Sequence, residues 1–274
     1  MNQDLKEVCK DIRCDVMTCI GHLGVGHIGG CLSLVELLAV LYFQEMNIDP
    51  KQPRMAGRDR LVCSKGHAGP AVYATLANRG YFDRAELLTL NQGGTNLPSH
   101  CDMNRTVGID MTTGSLGQGF SCAVGVALGS KLENDGATVY SIIGDGESQE
   151  GQIWEAAMFA AAKKLDNLVG ITDYNKLQID DTVENVNGIM PLSDKWRSFG
   201  WNVIEVEDGN DTAQVSDALK QAKRFAGSGK PSMIILHTVK GCGVSFIEEK
   251  GSANHNMNIS EEDVKRAIAE IRGE

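Results

Sequence analysis

Five short apolar runs, alternating with stretches able to form helices, constrain this chain more than any other feature. The runs are Arg60–Ser64, Thr138–Ile143, Asn167–Thr172, Asn202–Val206 and Met233–Val239. Between and around them lie Ala68–Asn78, Gln118–Glu133, Gln152–Lys164 and Thr212–Ala226. Buried strands alternating with helices imply an α/β fold, a parallel sheet covered by helices on both faces. Before the first run, Leu5, Val8, Ile12, Val16 and Ile20 recur at helical spacing, and a second helix is expected from about Ser33 to Gln44. No linker or internal repeat interrupts the series. The expectation is one domain over residues 1–274, with an acidic helical tail from about residue 260.

Charge and composition remove several function classes. A formal net charge of −10 argues against nucleic acid, whose phosphates call for a basic face. No apolar run approaches the ~20 residues needed to span a bilayer. The opening MNQDLKEVCK lacks the basic start and apolar centre of a secretory signal, so a cytoplasmic location is expected. The eight cysteines include no C-x-x-C pair and are expected as free, mostly buried thiols.

Gly24-Val25-Gly26-His27-Ile28-Gly29 fits the glycine pattern of a dinucleotide-binding turn. Such a turn must follow a strand and open a helix. Here a helix precedes it, so the dinucleotide reading fails. Gly227-Ser228-Gly229-Lys230 likewise has the wrong spacing for a phosphate loop, and Pro231 begins a strand where a helix is required.

The turn that carries chemistry follows the second run. Gly144-Asp145-Gly146 stands at a strand's carboxyl end, before a nearly all-apolar helix. Ligands in α/β sheets bind there, and glycines with a helix amino terminus suit a phosphate. Asp145 would repel that phosphate unless a cation stood between them, and magnesium commonly bridges protein oxygens to substrate phosphates. A second hard ligand is expected from the next strand end, where Asn175 offers a side-chain carbonyl and Leu177 a backbone one. The lesser alternative is that Asn175 is a turn residue capping a strand.

G-D-G, a spacer of this length and a closing Asn form the thiamine diphosphate fingerprint. From about Cys14 to His255 the chain resembles the cofactor-diphosphate-binding domain of transketolase, and is similar to the separate amino-terminal subunit of transketolases split into two polypeptides. The motifs are Gly26-His27-Ile28-Gly29-Gly30, Ser64-Lys65-Gly66-His67, Leu97-Pro98-Ser99-His100, Thr113-Gly114-Ser115-Leu116-Gly117-Gln118-Gly119 and Thr238-Val239-Lys240-Gly241-Cys242-Gly243, besides the G-D-G turn.

The resemblance implies thiamine diphosphate and Mg2+ (or Ca2+ or Mn2+), with Asp145, Asn175 and the Leu177 carbonyl on the metal. It puts His67, Gly144, Gly146 and Glu147 with the cofactor, Gly114 and Leu116 against the aminopyrimidine, and Ile179 near the thiazolium. It makes His27, His100 and His255 the groups that meet sugar hydroxyls and handle protons, work that suits a near-neutral pKa. His255 stands in Ser252-Ala253-Asn254-His255-Asn256-Met257, unlike the family's usual tryptophan-His-Gly setting. Glu150 and Glu155 fall where transketolases place interface acids, although acids also favour helix starts. His22 and His237 are read as structural.

The implied reaction moves a two-carbon ketol from a ketose phosphate to an aldose phosphate. A partner is also implied, because in the family the glutamate that activates the aminopyrimidine and most phosphate-gripping groups come from a pyrimidine-binding domain absent from these motifs. That partner is a separate carboxyl-terminal subunit, in two copies of each chain. The alternatives are a split transketolase for a sulfonated or branched ketose, a 2-oxoacid decarboxylase or dehydrogenase subunit sharing the G-D-G turn, and, from another class, a nucleotide enzyme or a non-catalytic regulator.

Overall fold

The computed structural model describes residues 4–274. Five parallel strands form the sheet: β1 (Arg60–Cys63), β2 (Val139–Gly144), β3 (Leu168–Tyr174), β4 (Asn202–Val206) and β5 (Ser232–His237), in spatial order β1-β2-β3-β5-β4. Side chains alternate between the faces, as a strand's period of two requires. Tyr140, Ile142, Val169, Ile171, Ile234 and Leu236 join one buried cluster; Val139, Ile143, Leu168, Met233 and Ile235 join the other. The first face packs against helices α1 (Leu5–Leu23), α2 (Val35–Val40), α3 (Gly69–Arg79) and α7 (Thr212–Arg224); the second packs against α4 (Gln118–Glu133), α5 (Gly151–Ala162) and α6 (Leu192–Ser198). The acidic tail is α8 (Glu261–Arg272), which packs on α1 and starts in a capping box between Ser260 and Asp263.

Gly24 is the stop of α1. Its φ of 88° is left-handed, and its N–H closes onto the Ile20 and Gly21 carbonyls. The glycine pattern therefore belongs to a helix cap and not to a nucleotide turn. Val25–Gly26 then pairs antiparallel with Met257–Asn258, which brings His27 and His255 together from opposite ends of the chain. Gly227 and Gly229 lie in the turn entering β5, and the Gly229 N–H bonds the Asp166 carboxylate.

Three expected boundaries move. The helix expected over Ser33–Gln44 is broken into a turn at Gly29–Leu32, α2, and a wide turn over Leu41–Glu45. The third strand runs two residues past Thr172, so Asp173 lies inside the sheet; Lys65 pairs with it there and makes its burial tolerable. The fifth strand ends at His237, because Thr238 turns its hydroxyl to Asp173 and the Val239 N–H goes to Asn210 Oδ1. All eight cysteines are free thiols, and only Cys122 is exposed.

Candidate functional site

The in-register parallel sheet aligns its carboxyl ends. Gly144 lies opposite Asp173, and Tyr174 opposite His237, so the residues following β2, β3 and β5 leave the sheet side by side. A cavity of about 400 Å³ opens there. It collects His27, His67, His100 and His255, Gly114 and Leu116, the turn from Gly144 to Glu147, Glu150, Asn175, Leu177 and Ile179. Of the predicted site residues only Glu155 lies outside it. A larger opening, about 520 Å³ around Arg13, Glu36 and Asp208, contains none of them.

Asp145 is buried, and its carboxylate accepts the Gly146 N–H at 2.8 Å and the Lys176 N–H at 2.5 Å. Burial and the nearby Asp173 raise its pKa to about 7. Such an acid is ready for a cation. Lys176 takes a left-handed φ of 68°, bending the chain so that Asn175 and Leu177 both line the same cavity as Asp145. The Leu177 carbonyl already accepts the ammonium of Lys240 at 3.2 Å. One carboxylate and two neutral oxygens leave room for phosphate oxygens, the coordination magnesium prefers. No group of three His, Cys, Asp or Glu among the described residues could hold a metal alone. This donor set fits a hard cation shared with a diphosphate.

The glycines fit that ligand too. A Cβ at Gly146 would stand 2.8 Å from Gln178 Oε1, and one at Gly66 would stand 2.8 Å from the Gly114 N. A Cβ at Gly114, whose φ is 153°, would stand 3.3 Å from the His100 ring. Glu147 lines the cavity, but its oxygens turn to the scaffold: they accept from Ser64 Oγ, from the Gly117 N–H at 2.8 Å and from the Gly144 N–H at 3.0 Å. It ties three segments around the cavity together from beneath.

The four histidines form one wall. His27 is 5.4 Å from His67, 5.8 Å from His100 and 5.2 Å from His255, centroid to centroid. Burial pushes all four pKa values down; Lys65 adds to the effect on His67, and Lys240 to the effect on His255, which falls to about 3. The wall is neutral at pH 7. Because Lys240 Nζ, a donor, faces His255 Nδ1 at 3.2 Å, the His255 proton is on Nε2. Asn254 holds this corner. Fully buried, it donates to the Lys240 and Ile247 carbonyls at 3.0 and 2.9 Å and packs against Gly29. His255 thus has a rigid support despite its unusual sequence setting.

Sequence reasoning missed two cations. Lys65 and Lys240 are both buried, and Lys240 has its pKa lowered to about 8 by burial and by Lys65. A lysine among glycines just after a strand was the available signal. Two other predicted residues lie further out. Ile179 is at the rim, 66% exposed. Glu155 is exposed on α5, beside Met158 and Phe159, which also face outward.

Comparison with known proteins gives a consistent result. Residues 5–272 match the family model described as transketolase, thiamine diphosphate binding domain. The chain is 58% identical to the 6-deoxy-6-sulfo-D-fructose transketolase subunit of a Clostridium species, covering 99% of this chain and 97% of that one. It is 40% identical to one of the subunits of the apulose-4-phosphate transketolase of Actinobacillus succinogenes, covering 91% and 88%. Among solved structures, the transketolase of Leishmania mexicana superposes with a TM-score of 0.92 at 30% identity, over 99% of this chain and 42% of the other. The chain therefore spans nearly the whole of these subunits, but under half of that longer transketolase.

Proposed function

This chain belongs to the transketolase thiamine diphosphate-binding family, and from that premise we propose that it is the amino-terminal subunit of a two-polypeptide transketolase whose donor is a 6-sulfonated ketose. The observation that carries the donor is the 58% identity, end to end, with a subunit named for 6-deoxy-6-sulfo-D-fructose. The reaction splits the donor beyond its carbonyl and passes a two-carbon ketol to an aldose phosphate.

Asp145, Asn175 and the Leu177 carbonyl would hold magnesium, and Gly146, His67 and Lys240 would meet the diphosphate. When bound, thiamine diphosphate supplies the acidic carbon and the electron sink. The residues of this chain position the sugar and move protons. A neutral His27 and His100 can accept a hydroxyl proton, and His255 can donate from Nε2 to a sugar oxygen. Lys240 fixes that tautomer through Nδ1.

The cavity rim explains why a partner is needed. Glu150 and Asp180 line it, and among the described residues the lysines and arginines that line the cavity are Lys65 and Lys240 alone, deep in the site. Among the described residues none at the rim would hold a sulfonate or phosphate, so the distal anion is read by the carboxyl-terminal subunit, which also brings the activating glutamate. The outward Glu155, Met158 and Phe159 form a face that an assembly with two copies of each chain would cover. Among the described residues no helix is long and apolar enough to cross a membrane.

The test is a donor comparison on the purified chain with and without its carboxyl-terminal partner. The expected result is turnover only with both, and a kcat/KM for 6-deoxy-6-sulfofructose at least tenfold above that for fructose 6-phosphate. Robust turnover by this chain alone, or preference for the phosphate, would reject the proposal. Preference for a branched ketose phosphate would favour the apulose-type relatives instead.

A further inference from the structure

One acid lies beneath the site and does not itself line the cavity. Asp173 is fully buried in β3, between the ends of β2 and β5. Four side chains from four parts of the chain converge on it. Lys65 Nζ donates to Oδ2 at 2.5 Å, Ser33 Oγ at 2.8 Å and Asn175 Nδ2 at 3.0 Å, while the Thr238 hydroxyl bonds Oδ1. Lys65 Nζ also reaches the Gly30 carbonyl at 3.1 Å. A buried carboxylate that receives four donors, one of them the ammonium of Lys65, is held as the acceptor-only ion.

We propose that Asp173, neutralised by Lys65, is a positioning residue that locks the Asn175 amide with its oxygen available to a divalent cation. This rests on the metal site described under the proposed function. An asparagine can present either its oxygen or its NH2 group, and only the oxygen ligates a metal. Here both ends are specified. An ionised carboxylate only accepts, so it demands the NH2 end of Asn175. At the other end, Oδ1 accepts the Leu177 N–H at 3.1 Å, a group that only donates. Turning the amide over would set oxygen against carboxylate and NH2 against N–H. The same carboxylate anchors Thr238, two residues before Lys240, and Ser33, at the end of the Gly29–Leu32 turn. It thereby holds three loops of the site in one register. Partners that orient metal ligands in this way are worth about 10–100-fold in metal affinity when removed.

The test uses Mn2+ as the probe. Its binding is followed by the electron paramagnetic resonance of the free ion, in the assembly of both subunits with saturating thiamine diphosphate. The first variant, Asp173→Asn/Lys65→Met, removes the charge pair together and leaves no unpaired ion. The substituted amide can offer a donor where the carboxylate offered only acceptors, so Asn175 is no longer locked. The second variant, Asp173→Asn/Asn175→Asp, moves the carboxylate to position 175, where both ends are oxygen and orientation ceases to matter. Melting curves establish that each is folded. The expected result is Mn2+ affinity 10–100-fold weaker in the first variant and within about threefold of the parent, or tighter, in the second. Parent-like affinity in the first, or a tenfold loss in a folded second, would overturn the proposal. The second variant decides the matter by itself if the first does not fold. Absence of Mn2+ binding by the parent assembly would instead reject the metal site and the proposal with it.

Discussion

Replacing Gly29 with alanine should uncouple the histidine wall from the cofactor loops. A Cβ there would lie 2.0 Å from Asn254 Oδ1, 2.5 Å from its Cγ and 2.9 Å from its backbone oxygen. Ordinary carbon contacts begin near 3.5 Å, so Asn254 must retreat by about 1.5 Å. Its bonds to the Lys240 and Ile247 carbonyls, at 3.0 and 2.9 Å, cannot survive that movement. Each is worth about 0.5–1.5 kcal/mol, and overpacking a filled core adds about 1–3 kcal/mol. The expected destabilisation is therefore about 2–6 kcal/mol. His255 follows Asn254 in the chain, and a catalytic group displaced by about 1 Å loses on the order of 100-fold in rate. Thiamine diphosphate affinity should change much less, because Asp145 and Asn175 stand on other loops. Thermal melting, kcat and coenzyme titration on Gly29→Ala separate these effects, and adding Asn254→Ala, which removes the obstructing amide, should recover part of the melting temperature. Parent-like melting and turnover in Gly29→Ala would refute the reasoning.

Three further outcomes follow from the geometry. His27, His67, His100 and His255 all have pKa values below the ordinary histidine value of 6.5; the fold therefore favours their neutral forms, and acidification works against the site only below that pH. The acid limb of kcat/KM should lie below pH 6.5, and a limb centred above 7 for the magnesium-loaded assembly would contradict a neutral wall. Arg13 and Glu36 form a buried pair at 2.5 Å, with Arg13 Nε also on the Cys242 carbonyl at 3.0 Å; Arg13→Ala should cost about 3–5 kcal/mol in denaturant unfolding, and Arg13→Met/Glu36→Met should regain most of it. Gly170 faces Met233, whose Cε lies 2.4 Å from where a Cβ would stand; Gly170→Ala should lower stability by about 1–3 kcal/mol, and an unchanged unfolding midpoint would show that the sheet face adapts freely.

The parts of this molecule legible in its sequence are those set by local pattern. The alternation of apolar runs and helices gave the sheet and its two covering layers, because strand and helix periods show within ten residues. The glycines around Asp145 and the amide at 175 marked the carboxyl edge. Less legible was everything made by convergence. Asp173 reads as a residue after a strand until Lys65, more than a hundred positions earlier, is brought against it and lets the strand continue through it. Gly24 to Gly29 reads as a nucleotide turn until the preceding helix is counted, and its actual partner, Met257–Asn258, comes from the far end of the chain. Asn254 gave no signal at all, since only the packed structure shows it bonded to two carbonyls and pressed on Gly29.

The central claim is that a divalent ion on Asp145 and Asn175 tethers the coenzyme. The most direct measurement is calorimetric titration of thiamine diphosphate into the two-subunit assembly, with and without Mg2+, for the parent and for Asp145→Ala. Binding that requires Mg2+ in the parent and is lost in Asp145→Ala is the predicted result. Equal coenzyme affinity in the two proteins, or binding indifferent to Mg2+, would contradict the account.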